Sequence, residues 1–181
     1  VVKQLSGADN LAKKLTKEAI DNGDFDKEIV EGLTNEANDI AIKKGRKLSW
    51  EEVKALFKRG NDFNKKGRLL YKDRFCEIHL GNGKRLDTYI PGEKIISRKA
   101  TDIDNITEQT WRNYCNELVS KYKVGTPVKS MKLTNEAPLN GKYYLEIPST
   151  NNSAQKIQQF KNIAKEYGTE NGGIEVIFLN E

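Results

Sequence analysis

Three polar side chains on two consecutive predicted strands, Asp87, Ser97 and Lys99, have the types and spacing for phosphodiester chemistry. Because side chains alternate along a strand, Ser97 and Lys99 share one face. The turn at Pro91-Gly92 makes the two strands neighbours, which brings Asp87 close to both if the register allows. A carboxylate beside an ammonium group can hold a divalent cation and help to position or deprotonate an attacking water. These roles are typical of a nuclease.

The same spacing fits a simpler alternative. An exposed cross-strand ion pair between an aspartate and a lysine contributes only about 0–1 kcal/mol to stability and needs no catalytic function. An acid followed by a lysine at this distance is a common pattern, so the spacing by itself leaves both interpretations open.

The flanking sequence predicts the elements that would position these residues. Ser49 and Glu52 form a capping-box pattern that starts a helix running to about Lys65. A meander of three strands follows, with a type I′ hairpin signal at Asn82-Gly83. After the meander come a helix capped by Thr107, a strand at 143–147, a helix capped by Ser153 and a strand at 174–179. This order predicts an α/β fold in which helices cover a mixed sheet.

Composition limits the classes of function. The chain has 181 residues, with 31 basic and 26 acidic side chains for a net charge of +5. Two cysteines and one histidine, His79, are too few for a disulfide framework or a histidine-rich metal site. No apolar run approaches the roughly 20 residues of a membrane-spanning helix, so none is predicted. The basic excess permits a polyanionic partner without requiring one.

The charge divides the chain near residue 45. Residues 1–45 hold 7 basic and 9 acidic side chains, whereas residues 46–181 hold 24 and 17. The first part shows two weakly apolar helical patterns that end at Gly45, and it contains no motif. We therefore predict a helical N-terminal segment, 1–45, followed by a basic domain, 46–181, that carries the phosphate contacts.

Several segments from Arg59 onward are similar to one family. They are RGNDFN (59–64), EIHL (77–80), NGKRLDTY (82–89), IISRKAT (95–101) and LEIP (145–148). Together they resemble the C-terminal nuclease domains of bacterial polymorphic toxins, such as contact-dependent growth inhibition effectors, which have the restriction-endonuclease-like PD-(D/E)xK fold. The resemblance covers about residues 46–181 and is strongest from Arg85 to Thr101.

The resemblance implies a metal-dependent endonuclease toxin, secreted or delivered from the surface of the producing cell and active in the cytoplasm of a target cell. DNA is the first choice of substrate because it is the commonest substrate of this fold, and tRNA is the alternative. A cognate immunity protein would protect the producer, and a cationic active site would favour an acidic one that covers it. In such effectors a preceding segment often assists entry, so residues 1–45 would either do this or cover apolar surface.

The resemblance also implies roles for the three residues named first. Asp87 matches the metal-binding aspartate, for Mg²⁺ or Mn²⁺, and Lys99 matches the motif lysine that orients or activates water. Ser97 stands where the family usually has a second acid, and we expect it to support the site by hydrogen bonding.

The missing acid needs a replacement from elsewhere in the chain. Glu77, on the strand before Asp87, is the first candidate for a second catalytic and metal-binding acid. A glutamate of the first long helix, Glu51 or Glu52, is the other. By analogy with the family, the main-chain carbonyl of Arg98 would complete the metal site.

Four basic residues are expected to contact phosphates, and the alternative for each is an ordinary solvated surface. They are Arg59, Lys84, Arg85 and Arg98. His79 is either a general base or a residue with structural hydrogen bonds.

A second class of function is also open, namely a non-catalytic module that binds nucleic acid or a protein through the basic meander. The serine in place of the usual acid favours this second class.

Overall fold

The computed structural model describes residues 27–134 and 136–181. Within these residues four α-helices occur: α1 Lys27–Lys44, α2 Trp50–Tyr71, α3 Glu108–Lys121 and α4 Ile157–Lys165. Five strands accompany them: β1 Cys76–His79, β2 Arg85–Ile90, β3 Lys94–Arg98, β4 Lys142–Pro148 and β5 Glu175–Leu179. The helical pattern that the sequence analysis finds before residue 27 lies outside the described residues. In the described part of the chain, no helix is both long and apolar enough to cross a membrane.

The strands form one mixed sheet in the order β1-β2-β3-β4-β5. β1, β2 and β3 pair antiparallel as the predicted meander, whereas β4 pairs parallel with β3, and β5 pairs parallel with β4. Two parallel neighbours need a crossover connection, and α3 lies in the one between β3 and β4. The predicted α/β class, with a mixed sheet flanked by helices, is therefore confirmed.

Local capping signals in the sequence locate two helix starts correctly. The Ser49 hydroxyl accepts a hydrogen bond from the Glu52 N–H, and the Glu52 carboxylate accepts one from the Ser49 N–H at 2.7 Å. The Thr107 hydroxyl caps α3 by accepting a hydrogen bond from the Thr110 N–H, without a reciprocal bond. α2 continues six residues beyond the predicted end, to Tyr71.

Two other local predictions are wrong. Ser153 does not cap a helix, because it ends a 3₁₀ turn and α4 begins only at Ile157. The turn before β2 is not type I′, since Gly83 has a φ of +80° but Asn82 does not have the positive φ that this type requires. The Gly83 N–H instead donates to the Leu80 carbonyl at 3.0 Å, which makes a wider loop.

The main core lies between the sheet and the two helices α3 and α4. Trp111 of α3 stacks on Phe160 of α4 with ring centroids 5.0 Å apart, and its indole N–H donates to the Phe160 carbonyl. The helical spacing of the α3 aromatic residues predicts a core position, and Trp111 and Tyr114 are buried there. The two free cysteines, Cys76 and Cys115, are also buried, as small apolar residues would be.

The helix α1 packs onto the predicted domain of residues 46–181. Its Leu33 contacts a small apolar cluster with Val53 and Phe57 of α2. The Asp39 carboxylate accepts hydrogen bonds from the Thr107 N–H at 3.0 Å and from the Thr110 hydroxyl at 2.6 Å. Residues 27–44 are therefore tied to both helices that flank the site described next.

Candidate active site

A cleft lies between the sheet and three helices, where β3 ends. Asp87 of β2 lines it, as do Ser97, Arg98, Lys99 and Ala100 from the end of β3 and the residues that follow. Its helical walls comprise Leu33 and Glu36 of α1, Gly60, Phe63 and Asn64 of α2, and Tyr114, Glu117, Lys121 and Tyr122 at α3. The structure therefore brings Asp87, Ser97 and Lys99 to one cleft.

Asp87 is held by the neighbouring strand. The last regular pair between β2 and β3 joins Thr88 and Ile96, and one step further the Asp87 carboxylate accepts a hydrogen bond from the Arg98 N–H at 2.7 Å. This bond engages one of the two carboxylate oxygens and restrains the orientation of a side chain that lines the cleft. The side chain is half-buried, so it remains accessible to a ligand.

Lys99 is paired with a carboxylate that the sequence analysis did not consider. Its ammonium nitrogen lies 3.3 Å from Oε2 of Glu117 on α3 and 5.1 Å from the centroid of the Tyr114 ring. The other Glu117 oxygen is bonded by Lys121, one helical turn further along α3. Burial by itself would raise the pKa of Glu117, but the two lysines outweigh it and lower that pKa below its usual value.

Ser97 and Asn64 supply neutral polar groups to the cleft. Ser97 is only 5% exposed and Asn64, from α2, only 8% exposed. A hydroxyl can donate and accept hydrogen bonds but carries no charge, so Ser97 cannot substitute electrostatically for a second acid. Asn64 belongs to the RGNDFN segment that contributes to the family resemblance.

Glu36 is a cleft acid that sequence reasoning missed, because it lies in the segment without a motif. Its side chain is almost completely buried, and its carboxylate accepts a hydrogen bond from the Thr101 hydroxyl at 3.1 Å. Burial is the main cause that raises its pKa to about 7, against the smaller opposing effects of Thr101 and Arg59. Near neutral pH the Glu36 carboxyl group is therefore present in both its protonated and its ionised form.

Glu77 lies beside Asp87 on the adjacent strand but does not line the cleft. Its carboxylate pairs with Arg85 at 2.8 Å, and its backbone has a φ of +57°. Burial raises the pKa of Glu77, and the nearby Asp87 carboxylate raises it further. The two acids therefore interact through space, although the cleft does not contain both.

The other candidates for a second acid are engaged at the start of α2. Glu52 closes the capping box and pairs with Lys44 and Arg46 at 2.8 and 2.7 Å, while Glu51 pairs with Lys54. Neither glutamate lines the cleft. Their positions favour a structural role at the start of the helix.

The donor set of the cleft suits a weakly held divalent cation better than a dedicated cage. Among the described residues, no group of three or more His, Cys, Asp or Glu side chains has the arrangement to hold a metal ion. Mg²⁺ commonly binds one or two carboxylates and takes its other ligands from water and substrate phosphate. Asp87, which lines the cleft and has one oxygen bonded by the Arg98 N–H, fits that limited role.

Arg59 is committed to two carboxylates. Its guanidinium donates to both oxygens of Asp102 at 2.9 Å and to Glu181 at 2.5 Å. A phosphate would have to displace these partners, so the observed geometry favours a role in holding α2 to the loop after β3 and to the C-terminus.

The burial of the Arg98 side chain does not fit its predicted contact with phosphate. The side chain is 1% exposed, donates to Glu146 Oε1 at 2.5 Å and to the Thr88 hydroxyl, and lies over the Tyr71 ring. No phosphate can reach this guanidinium without opening the protein, so the geometry assigns it a structural role in place of the expected phosphate contact.

Three further predicted residues lie outside the cleft. Arg85 pairs with Glu77, and Lys84 and His79 are exposed at the β1–β2 end of the meander. Lys84 therefore offers its charge to solvent or to a ligand, and His79 is not among the residues that line the cleft.

The full chain matches no protein-family model, no curated protein and no solved structure.

Proposed function

We propose that this protein is a divalent-metal-dependent endonuclease with the restriction-endonuclease-like PD-(D/E)xK fold. The observation that carries the proposal is the common cleft of Asp87, Ser97 and Lys99 at the β2–β3 pair. An exposed ion pair, the simpler alternative, is disfavoured, because Asp87 bonds the Arg98 N–H and Lys99 bonds Glu117.

The strand arrangement supports the same fold. An antiparallel meander is followed by a crossover helix and a fourth strand parallel to the third. The family that the sequence resembles has this core order of a helix, a three-stranded meander, a helix and a strand. Many unrelated activities share similar α/β sheets, so the proposal depends on the cleft residues rather than on the topology.

Each cleft residue has a defined role in the proposed hydrolysis. Asp87 holds Mg²⁺ or Mn²⁺, which when bound would polarise the phosphodiester and stabilise its developing charge. Lys99 orients the attacking water and contributes positive charge beside the phosphate. Ser97 supports the arrangement by hydrogen bonding. Glu77 lies outside the cleft on the next strand, where burial and the Asp87 carboxylate raise the pKa of Glu77.

The proposed setting follows from the resemblance. The protein acts as a toxin fragment, secreted or delivered by the producing cell and active in the cytoplasm of a target cell, with a cognate immunity protein in the producer. DNA is the first substrate, and tRNA is the alternative. The net charge of +7 over residues 46–181 supports a nucleic-acid partner.

A direct cleavage assay tests the proposal. The purified protein is incubated with plasmid DNA or total tRNA, with Mg²⁺, Mn²⁺ or EDTA. We expect metal-dependent cleavage that Asp87→Ala and Lys99→Ala abolish, while the circular dichroism spectra stay unchanged. Asp73→Ala and Lys142→Ala are matched controls, because both remove the same charge from exposed positions outside the cleft. Full activity in either cleft variant would reject our assignment of these residues.

A non-catalytic binding module is the second candidate function. Two observations favour it: Ser97 replaces the expected acid, and the described residues contain no three-ligand metal cluster. This alternative predicts that the wild-type protein binds DNA or tRNA without cutting either, and that Asp87→Ala binds equally well. An electrophoretic mobility shift beside the cleavage assay separates the two candidates.

A further inference from the structure

Two ammonium groups meet at one carboxylate inside the cleft. Lys99 approaches Oε2 of Glu117 at 3.3 Å, and Lys121 bonds Oε1 of the same residue. All three side chains line the cleft that also contains Asp87 and Ser97. Lys99 comes from the end of β3, whereas the other two come from α3, so only the folded protein brings the two amines together.

The surroundings strengthen this arrangement. The side chains of Lys99, Lys121 and Glu117 are 17%, 22% and 28% exposed, so water screens their charges only partly. The Lys99 amine also lies over the face of the Tyr114 ring, an environment that favours a cation. The pKa of Glu117 is lowered despite its burial, which is consistent with a carboxylate bound by two cations.

A carboxylate and a phosphate present the same kind of group to a lysine. Both offer negatively charged oxygens that accept charge-assisted hydrogen bonds from ammonium N–H groups. Two lysines that hold one carboxylate at a partly open cleft can therefore hold a phosphate in the same place. In the free protein the Glu117 side chain occupies that place and leaves the group of three with a net charge of +1.

We propose that Lys99 and Lys121 form a phosphate subsite and that Glu117 is its built-in competitor. An incoming phosphate displaces the Glu117 carboxylate from the two amines, and the carboxylate turns towards solvent. The inference rests on the proposed endonuclease function for the identity of the natural ligand, a phosphodiester of nucleic acid. It adds Lys121 as a binding residue and Glu117 as a residue that weakens binding until substrate competes.

The displacement is feasible because the ion pairs are only partly buried. Lys121 and Glu117 are one turn apart on α3, a spacing at which an ion pair stabilises a helix only weakly. Inorganic phosphate, the probe used below, carries more charge than a carboxylate at neutral pH. A phosphodiester carries one negative charge, as a carboxylate does, and either group can bond both amines simultaneously. The competition is therefore closely balanced, and the removal of Glu117 should favour phosphate.

A phosphate titration of Glu117→Gln tests the competition. Inorganic phosphate is added to the wild-type protein and to the variant without divalent metal, and the lysine side-chain resonances are followed by nuclear magnetic resonance. We expect the variant to bind phosphate about tenfold more tightly, because one negative charge next to the two amines is gone. Glu108→Gln is the matched control, since Glu108 pairs with Arg112 on the same helix but outside the cleft.

A second substitution tests whether the Lys121 amine is one of the groups that bind phosphate. Adding Lys121→Gln to Glu117→Gln should return phosphate binding to the wild-type level or below, whereas adding Lys142→Gln should not. If Glu117→Gln does not fold, Glu117→Ser removes the same carboxylate and serves instead. Equal phosphate affinity in the wild-type and Glu117 variants, or an equal gain in Glu108→Gln, would overturn the proposal.

The readout is independent of catalysis. A wild-type protein that cuts neither DNA nor tRNA would reject the proposed endonuclease, but the phosphate titration would still report on the subsite. Conversely, an active endonuclease with no change in phosphate binding on loss of Glu117 would reject the subsite alone.

Discussion

The carboxylate of Asp87 accepts a hydrogen bond from the main-chain N–H of Arg98, at 2.7 Å, across the gap between β2 and β3. The bond lies just beyond the last regular pair of the two strands, Thr88 and Ile96, and it connects the strands that carry the candidate catalytic residues. Asp87 consequently has two separable properties: an oxygen that accepts the hydrogen bond, and a negative charge that can attract a cation.

Asp87→Asn should separate these properties. The amide oxygen can still accept from the Arg98 N–H, so the free energy of unfolding should change by less than about 1 kcal/mol. The loss of charge should reduce metal-dependent cleavage at least about 100-fold. Urea unfolding and the plasmid assay measure the two effects. A variant that loses stability and activity together would show that the carboxylate is mainly structural.

Glu146→Ala should strongly destabilise the protein. It leaves the buried Arg98 guanidinium without its carboxylate and removes the acceptor of the Tyr71 hydroxyl. Breaking a buried pair in this way costs about 3–5 kcal/mol. Urea unfolding followed by circular dichroism measures the loss. Glu175→Ala breaks an exposed pair with Lys142 in the same sheet and should change the unfolding free energy by less than about 1 kcal/mol. Similar losses in the two variants would contradict the structural role of Arg98.

Gly67→Ala should destabilise the protein, although the same change usually stabilises the interior of a helix. A Cβ at position 67 would collide with the guanidinium of Arg98, which lies directly against α2. Because the buried ion pair limits how far that guanidinium can shift, we expect a loss of about 1–3 kcal/mol. Thermal and urea unfolding measure it. Lys66→Ala, an exposed neighbour on the same helix, should stay within about 0.5 kcal/mol of the wild type. A Gly67 variant at or above wild-type stability would show that Arg98 has room to move.

Glu36 should make stability depend on pH. Its pKa is raised from 4.5 to about 7 in the folded protein, mainly by burial. Between pH 4.5 and pH 7 the folded state binds more protons than the unfolded state. The contribution of Glu36 to the free energy of unfolding is therefore complete below pH 4.5 and is lost as the pH rises through about 7. The wild-type protein should therefore lose up to about 3 kcal/mol over this range relative to Glu36→Gln, which cannot ionise.

Unfolding free energies at pH 5 and pH 8 check this dependence. The exposed Glu175→Gln variant provides the same change in net charge without burial. A constant difference between the wild type and Glu36→Gln at both pH values would mean that the Glu36 carboxyl does not change its ionisation on folding.

Short-range patterns were the most predictable part of the structure. The capping box of Ser49 and Glu52 needs only residues three apart, and the meander needs only alternation and nearby turns. The turn at Asn82-Gly83 shows the limit of such patterns. That dipeptide permits a type I′ turn, but the bond from the Gly83 N–H to the Leu80 carbonyl selects a wider loop.

The candidate site was only partly predictable because most of its walls are distant in sequence. Asp87, Ser97 and Lys99 could be grouped in advance, since one short turn connects their strands. Glu117 and Glu36 could not, because their positions depend on how α3 crosses the sheet and how α1 packs on the domain. The residues around Glu117 and Glu36 form no motif that would indicate a functional site.

From its residue pattern alone, the chain determines an α/β sheet with an acid, a hydroxyl and an amine on adjacent strands. Tertiary packing decides which charges are available for chemistry. Arg98 and Lys99 are adjacent basic residues, yet the first is buried against Glu146 from β4 and the second reaches the cleft beside Glu117 from α3. Successive side chains of a strand point to opposite faces, and what covers each face is supplied by segments far along the chain.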